Sequence, residues 1–440
     1  MVARCERLEG QTRHPAVAAM RIAFFCPHSD PLAVTGEPDA GGQCIYEARV
    51  AEQLARQGHE VRVYTRRWGG KAVRQDICDG ATIFRYPMGP DGFLRKEDMG
   101  PHLAEFVEHT LFRQTTWLRH ADAIHGHYWD GGASALMASL ALGKPLLFTS
   151  HSLGLLKRDR VPDPTPDGSK FRYDVRIRAE KKILDAADAV IALSRTERDA
   201  LTGRYGASAE KVRIVPGGVD TEAFHLCLEK TKLQRQLGFS SDYLLFTVGR
   251  LDPRKGFLEL IEAIPQVVKT LRDAGKTVTF LIPIGPEKPS PDESAYRDAL
   301  LGRANELRIA DAIHWFHRLT DQELFQYYAA ADLFLCPSPY EPFGLVLVEA
   351  FASGTPVIAT PHGGPTDIVT PGVNGYLADP ADPPAFAARI LDALLAPENE
   401  RRRMRAAAAE RARTRYAWPS VASAIADVYC SIRDDAHALR

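Results

Sequence analysis

The chain has 440 residues, 45% apolar and 25% charged, enough for two domains with cores of their own and unlike a disordered polypeptide. Lys+Arg 55 against Asp+Glu 56 leaves a net charge of -1, so no global basic field exists to hold a nucleic acid. Seven cysteines are scattered at 5, 26, 44, 78, 227, 336 and 430 without a C-x-x-C pair. That pattern points to a reducing, cytoplasmic setting and away from a zinc site or a disulfide framework.

Residues 1–19 are charged and lack an apolar signal core, so a flexible extension is expected there. No run approaches the roughly 20 apolar residues of a membrane span. From Met20 onward RIAFFCPH, EVRVYTR, ATIFRYP, AIHGHY, PLLFTSH, AVIALS and VRIVPGG read as strands, separated by amphipathic stretches such as YEARVAEQLARQGH. Serial β-α units of this kind predict a mostly parallel sheet covered on both faces, here a first domain over 20–225. A polar stretch breaks the rhythm, and 226–241 is taken as a linker. The alternation restarts with YLLFTVGR, TVTFLIPIG, IHWFH, DLFLCPS and TPVIAT, with FLELIEAIPQVVKTLRDAG as the clearest helix, giving a second domain over 242–415. Pro380 to Arg415 reads as helical, and its run RRRMRAAAAERARTR as a solvated face. The segment 416–440 is expected to be a helix crossing back to the first domain. The fold class that follows is α/β, two doubly wound Rossmann-like domains facing a central cleft.

Chemistry should sit in the loops after the strands, where such sheets bind ligands. No G-x-G-x-x-G follows a strand, which excludes the usual dinucleotide fingerprint, and no D-x-D is present to hold a metal-bound diphosphate. A diphosphate would instead be met by cations and helix N-termini. VGRLDPRKG supplies Arg250 at the end of a strand and Lys255 just before a helix. In EPFGLVLVE, Gly344 lets backbone approach a ligand and the amides of Phe343, Gly344 and Leu345 open a helix toward an anion. Glu349, one turn inside, could accept ribose hydroxyls, and Glu341 in the preceding loop could hold a sugar hydroxyl. Gly41 and Gly42 precede the first helix, where open backbone can reach a phosphate. His125, His127 and Asp130 in HGHYWDGG, with His151 in FTSHSLG, follow strands and are expected to face the cleft.

VGRLDPRKG, the E-x7-E of EPFGLVLVE, VPGGVDTEAF and the Gly-Gly after the first strand together resemble a retaining glycosyltransferase of the sucrose synthase and glycogen synthase type, which has the two-Rossmann GT-B fold. The resemblance implies that Arg250 and Lys255 bind the donor diphosphate, Glu349 the ribose and Glu341 the transferred sugar. It also implies that His151 contacts that sugar, and that no cofactor or essential metal takes part, the nucleotide-sugar being a substrate. DAGGQCIY, GPDGFLRKE, HGHYWDGG, TSHSLGLLKR and HGGPTDIV are similar to sucrose-phosphate synthases, including the mannosylfructose-phosphate branch. That narrower likeness implies an acceptor site formed by Gln43, Lys96, Asp130 and Lys157, with Arg176 or Arg178 on the acceptor's phosphate. Two departures are Ala40, where Thr is commoner, and Arg178, where a neutral or acidic residue is usual. A phosphatase domain found in some relatives is not expected within these 440 residues, so a separate phosphatase is expected to release free disaccharide.

The expected reaction is therefore transfer of a hexosyl unit, UDP-glucose favoured, to fructose 6-phosphate. One alternative keeps the fold and changes the acceptor to free fructose, a lipid or an inositol phosphate, and a lipid-linked acceptor should add a basic and aromatic amphipathic surface. The other is a regulatory subunit that binds nucleotide-sugar without turnover. Against it stands the intact set Gly42, His151, Arg250, Lys255 and Glu341.

Overall fold

The computed structural model describes residues 18–33 and 41–438. The expected extension over 1–19 lies outside it apart from its last two residues, and Ala40 lies outside it altogether. The first sheet holds β1 (Arg21–Phe25), β2 (Glu60–Arg66), β3 (Arg74–Cys78), β4 (Ala81–Tyr86), β5 (Ala123–His127), β6 (Leu146–Thr149), β7 (Ala189–Ala192) and β8 (Val212–Ile214). The second holds β9 (Tyr243–Phe246), β10 (Val278–Pro283), β11 (Ile313–Phe316), β12 (Leu333–Cys336), β13 (Val357–Ala359) and β14 (Gly375–Leu377). Their spatial orders are β3-β4-β2-β1-β5-β6-β7-β8 and β11-β10-β9-β12-β13-β14. Every neighbouring pair is parallel except β3 with β4.

Strands covered by helices on both faces need continuous rather than alternating apolar character. Accordingly β5, β6, β7, β9 and β12 are buried along their whole lengths. The two strands that the sequence pattern did not give differ in this respect. The edge strand β3, RQDIC, is polar and mostly exposed, and β14 has only three residues. The stretch taken as a linker carries a helix, Lys230–Gln236. The basic helical region divides into Pro383–Leu395 and Glu398–Arg415, with Pro397 at the break, where a missing N–H does no harm at a helix start. β9 stops at Phe246, so Arg250 stands on the loop beyond the strand rather than closing it.

In each sheet the chain starts near the middle, runs to one edge, and returns to continue on the other side. The order therefore reverses between β1 and β5 and again between β9 and β12, and ligand crevices form where such reversals separate two strand ends. The loops at those points touch. A Cβ on Gly131, just after β5, would lie 2.2 Å from the Phe25 carbonyl at the end of β1. One on Gly256 (φ +70°) would lie 1.8 Å from the Pro337 carbonyl after β12, so neither position has room for a side chain.

The C-terminal helix Trp418–Ala438 returns to the first sheet's side. Trp418 packs edge-on to Tyr46 at 5.8 Å, Gln57 donates to the Pro419 carbonyl at 3.1 Å, and the Tyr429 hydroxyl lies 2.6 Å from His125 Nδ1. Among the described residues no helix is long and apolar enough to cross a membrane.

Candidate active site

The second sheet supplies the cationic wall. In the turn after β9, Asp252 accepts from the Arg254 backbone N–H and thereby caps the short turn Pro253–Lys255. That turn directs Lys255 to Glu341 on the loop after β12, with Nζ 2.9 Å from Oε2. Burial alone would lower the Lys255 ammonium, but the Glu341 carboxylate and its hydrogen bond outweigh it and hold the group raised and charged. Arg250 is exposed and has no hydrogen bond or ion pair among the described residues. The loop from Glu341 to Phe343 is pinned by Glu341 N–H donating to the His362 carbonyl at 3.2 Å and by Gly364 N–H donating to the Glu341 carbonyl at 2.9 Å. It feeds the helix Leu345–Ala352 through Gly344 at φ 102°, with no side-chain cap, so the opening amides are left for a ligand. Inside that helix Glu349 accepts from the Tyr328 hydroxyl at 2.9 Å. Burial raises the Glu349 carboxyl to about 7, against which the tyrosine hydrogen bond works.

A second uncapped helix start meets the first. Gly41 precedes Gly42–Arg56 with no side-chain cap, and a Cβ on Gly42 would stand 3.2 Å from Leu345 Cδ1. Two sets of orphan amides thus converge, which suits a diphosphate.

Behind them the first sheet contributes a buried, uncharged group. His127 Nδ1 lies 2.9 Å from His151 Nε2, and Tyr46 packs edge-on to His151 at 4.9 Å. Burial lowers His151 to about 3 and drives His127 well below the ordinary histidine value. Glu47 accepts from Ser29 at 2.7 Å and from Gln43 at 2.8 Å, yet burial still raises its carboxyl to about 8. His151 itself is held at φ 55°, a left-handed conformation that a residue with a Cβ seldom adopts and that clusters at functional sites.

The expectation that all three histidines face the cleft is corrected here. His125 and His127 belong to the fully buried β5; His125 is fixed between Tyr429 and Thr149 Oγ1, the latter at 2.8 Å. Asp130 is also fully buried and accepts from the His28 backbone N–H at 3.0 Å, with its carboxylate 2.9 Å from His28 Nδ1. It is therefore held against the loop after β1 rather than presented to the cleft.

A third group is cationic. A small recess is lined by Glu97, Tyr128, Lys157, Phe171, Tyr173 and Arg176, among others. Arg176 is buried and already engaged by Glu180 at 2.7 Å, the Tyr128 hydroxyl at 2.7 Å and the Ser152 carbonyl. Lys157 has no hydrogen bond or ion pair among the described residues, and its ammonium is driven well below its usual range by burial and then by Arg254, Arg176 and Lys96. Lys96 lies 3.7 Å from Glu97. Arg254 comes from the other sheet and stands 5.9 Å over the Phe171 ring, so both halves of the molecule build this corner. Arg178 is exposed on the same helix as Arg176 and does not line the recess.

Sequence reasoning did not single out Tyr128, Arg172, Tyr173, Arg254 or Glu47. Tyr128 (φ 65°) and Arg172 (φ 45°) share with His151 a backbone conformation that no side-chain pattern announces. Glu47 did leave a signal, as an acid one turn after Gln43 on the helix face that carries Tyr46 and Val50 into the core.

Glu47, His127 and His151 have donor atoms within 4.8 Å of one another, close enough to consider a metal ion. However, two imidazole nitrogens on a tetrahedral ion at 2.0–2.1 Å would sit about 3.4 Å apart. The 2.9 Å separation is that of a hydrogen bond.

Two Rossmann-like lobes, with uncapped helix starts and cations converging at their switch points, define the GT-B class of glycosyltransferase. Residues 40–223 match the model of Glycosyltransferase Family 4 and residues 229–411 that of Glycosyl transferases group 1, and the chain belongs to this glycosyltransferase family. It is 32% identical over 429 residues to a D-inositol 3-phosphate glycosyltransferase of Xylanimonas cellulosilytica, covering 94% of this chain and 97% of that one. It is 30% identical to a mannosylfructose-phosphate synthase of Agrobacterium fabrum, covering 93% and 90%. The structure of sucrose-phosphate synthase from Thermosynechococcus elongatus superposes with a TM-score of 0.82 at 29% identity, covering 94% and 99%.

Proposed function

We propose that the protein transfers a hexosyl unit from a nucleotide-sugar to the hydroxyl of a phosphorylated polyol, with retention at the anomeric carbon. The observation that carries the acceptor half is the recess in which Lys157, beside Lys96, Arg176 and Arg254, has no anionic partner of its own beyond the nearby Glu97. A phosphate dianion would supply one and raise Lys157 back toward its charged form. Because curated relatives over nearly the full chain are D-inositol 3-phosphate glycosyltransferases, an inositol phosphate is the acceptor we favour. It displaces fructose 6-phosphate, the acceptor expected from sequence, to second place. Fructose 6-phosphate keeps the support of the mannosylfructose-phosphate and sucrose-phosphate synthase likenesses.

In this reading Arg250, Lys255 and the two helix starts stabilise the leaving diphosphate. Glu349 accepts from the donor ribose, Glu341 and His151 hold the transferred sugar, and Gln43 stands between donor and acceptor. The departing phosphate oxygen takes the acceptor's proton, since the buried carboxyls nearest the site are already engaged by Ser29, Gln43 and Tyr328. Burial between the lobes excludes water and aligns the acceptor.

The test is nucleotide release by purified protein in EDTA, with UDP-glucose, UDP-N-acetylglucosamine, ADP-glucose and GDP-mannose each offered inositol 3-phosphate, fructose 6-phosphate, inositol and fructose. Release that requires a phosphorylated acceptor supports the proposal and names the pair. Binding of a donor with no turnover on any acceptor would move the regulatory reading forward.

A further inference from the structure

We propose that His127, one residue removed from the sugar, is a positioning residue that fixes the tautomer of His151 by donating its Nδ1 proton to His151 Nε2. The inference rests on the reading that His151 holds the transferred sugar, and it follows from counting protons and partners.

His127 is fully buried in β5, with its Nδ1 2.9 Å from His151 Nε2. Its other ring nitrogen, Nε2, is buried and has no hydrogen-bond partner. Burial keeps both rings uncharged at neutral pH, so each carries one proton and only one lies between them. Two arrangements are then available. If His151 donated, His127 would carry its own proton on Nε2, leaving an N–H buried without an acceptor. If His127 donates, the orphan on Nε2 is only a lone pair. Buried N–H groups without acceptors are the rarer and costlier defect, so the second arrangement holds.

The consequence reaches the substrate. His151 Nε2 becomes the acceptor of that bond, and the His151 proton must reside on Nδ1. Nδ1 makes no hydrogen bond among the described residues, and His151, unlike His127, is only partly buried. His151 therefore meets a sugar as a hydrogen-bond donor to a hydroxyl oxygen. The surroundings keep the pair from rotating. Phe24 packs on His127 at 4.6 Å, His125 at 4.0 Å, and Tyr46 closes on His151. His125 is in turn locked by Tyr429 of the C-terminal helix.

The experiment is an imidazole nitrogen NMR spectrum of the full chain at neutral pH, with the His151 signals assigned by their loss in His151→Asn. A His151 ring with Nδ1 protonated and Nε2 bare is expected, and Nε2 protonated in the unmodified protein would overturn the proposal. Two variants add the functional link. His127→Phe keeps a ring but no donor, whereas the amide of His127→Asn can take the place of Nδ1–H. Turnover should fall about tenfold or more in His127→Phe with acceptor KM little changed, and His127→Asn should recover most of it. Equal loss in both folded variants would overturn the positioning role. If the spectrum is as expected but His127→Phe keeps full turnover, the tautomer stands and the placement of His151 at the sugar fails instead.

Discussion

The two walls of the cleft solve different problems with different chemistry. The wall from the first sheet is buried and neutral. Its histidines are kept uncharged by burial, its Glu47 carboxyl is raised to about 8, and Glu47 and His125 are engaged by neighbours within the protein. The wall from the second sheet is charged and partly open, with Arg250 exposed, Lys255 shared with one carboxylate, and uncapped amides at Leu345. In the proposed reaction the first wall would orient a neutral sugar through prearranged hydrogen bonds, and the second would offer cations and open amides to a leaving diphosphate.

Removing charge from the second wall should have the largest effect. Lys255→Ala should lower turnover by about 10³, the loss typical of a charge-stabilising donor, with less change in acceptor KM. Steady-state kinetics check this, and a loss confined to KM would place Lys255 outside the transition state. Arg250→Ala should lower kcat/KM for the donor by about 10², because its guanidinium has no competing partner to relieve. Equal rates with and without the arginine would remove it from the site.

The neutral wall makes a pH prediction. The folded Glu47 carboxyl titrates near 8 against 4.5 for its ordinary value. Folding therefore favours its protonated form, and that contribution is complete below about 4.5 and lost as pH rises toward 8. Glu47→Gln, which mimics the protonated acid, should gain stability relative to the unmodified protein from pH 5 to 8 in denaturant unfolding. A constant gap across that range would mean that Glu47 is ionised in the fold. The smallest effect is expected at Arg178→Ala, outside the recess, which should change acceptor KM less than about twofold. A change comparable with that of Lys157→Ala would bring Arg178 back into the phosphate site.

Most of the fold was legible because parallel strands buried on both faces appear as uninterrupted apolar runs, as in PLLFT and DLFLC. β3 escaped because an exposed edge strand need not be apolar. The helix start at Leu345 and the turn that carries Lys255 were equally readable as features of the fold, since helix starts and cations after a strand carry a local signature. The first wall was less so. A histidine such as His125 shows the same letter whether it faces a ligand or, as here, Tyr429 some 300 residues away in the chain. Likewise the like charges around Lys157 come from Lys96 and Arg176, distant in the chain, and from Arg254 of the other lobe, so only the folded packing brings them together.

That corner decides the account. The most direct measurement is the ratio of kcat/KM for inositol 3-phosphate to that for inositol, compared between the unmodified protein and Lys157→Ala. Loss of one charge-assisted phosphate contact should collapse the ratio by about 10 to 100-fold while leaving the rate on unphosphorylated inositol nearly unchanged. A ratio that survives the substitution would contradict the phosphate assignment of the recess.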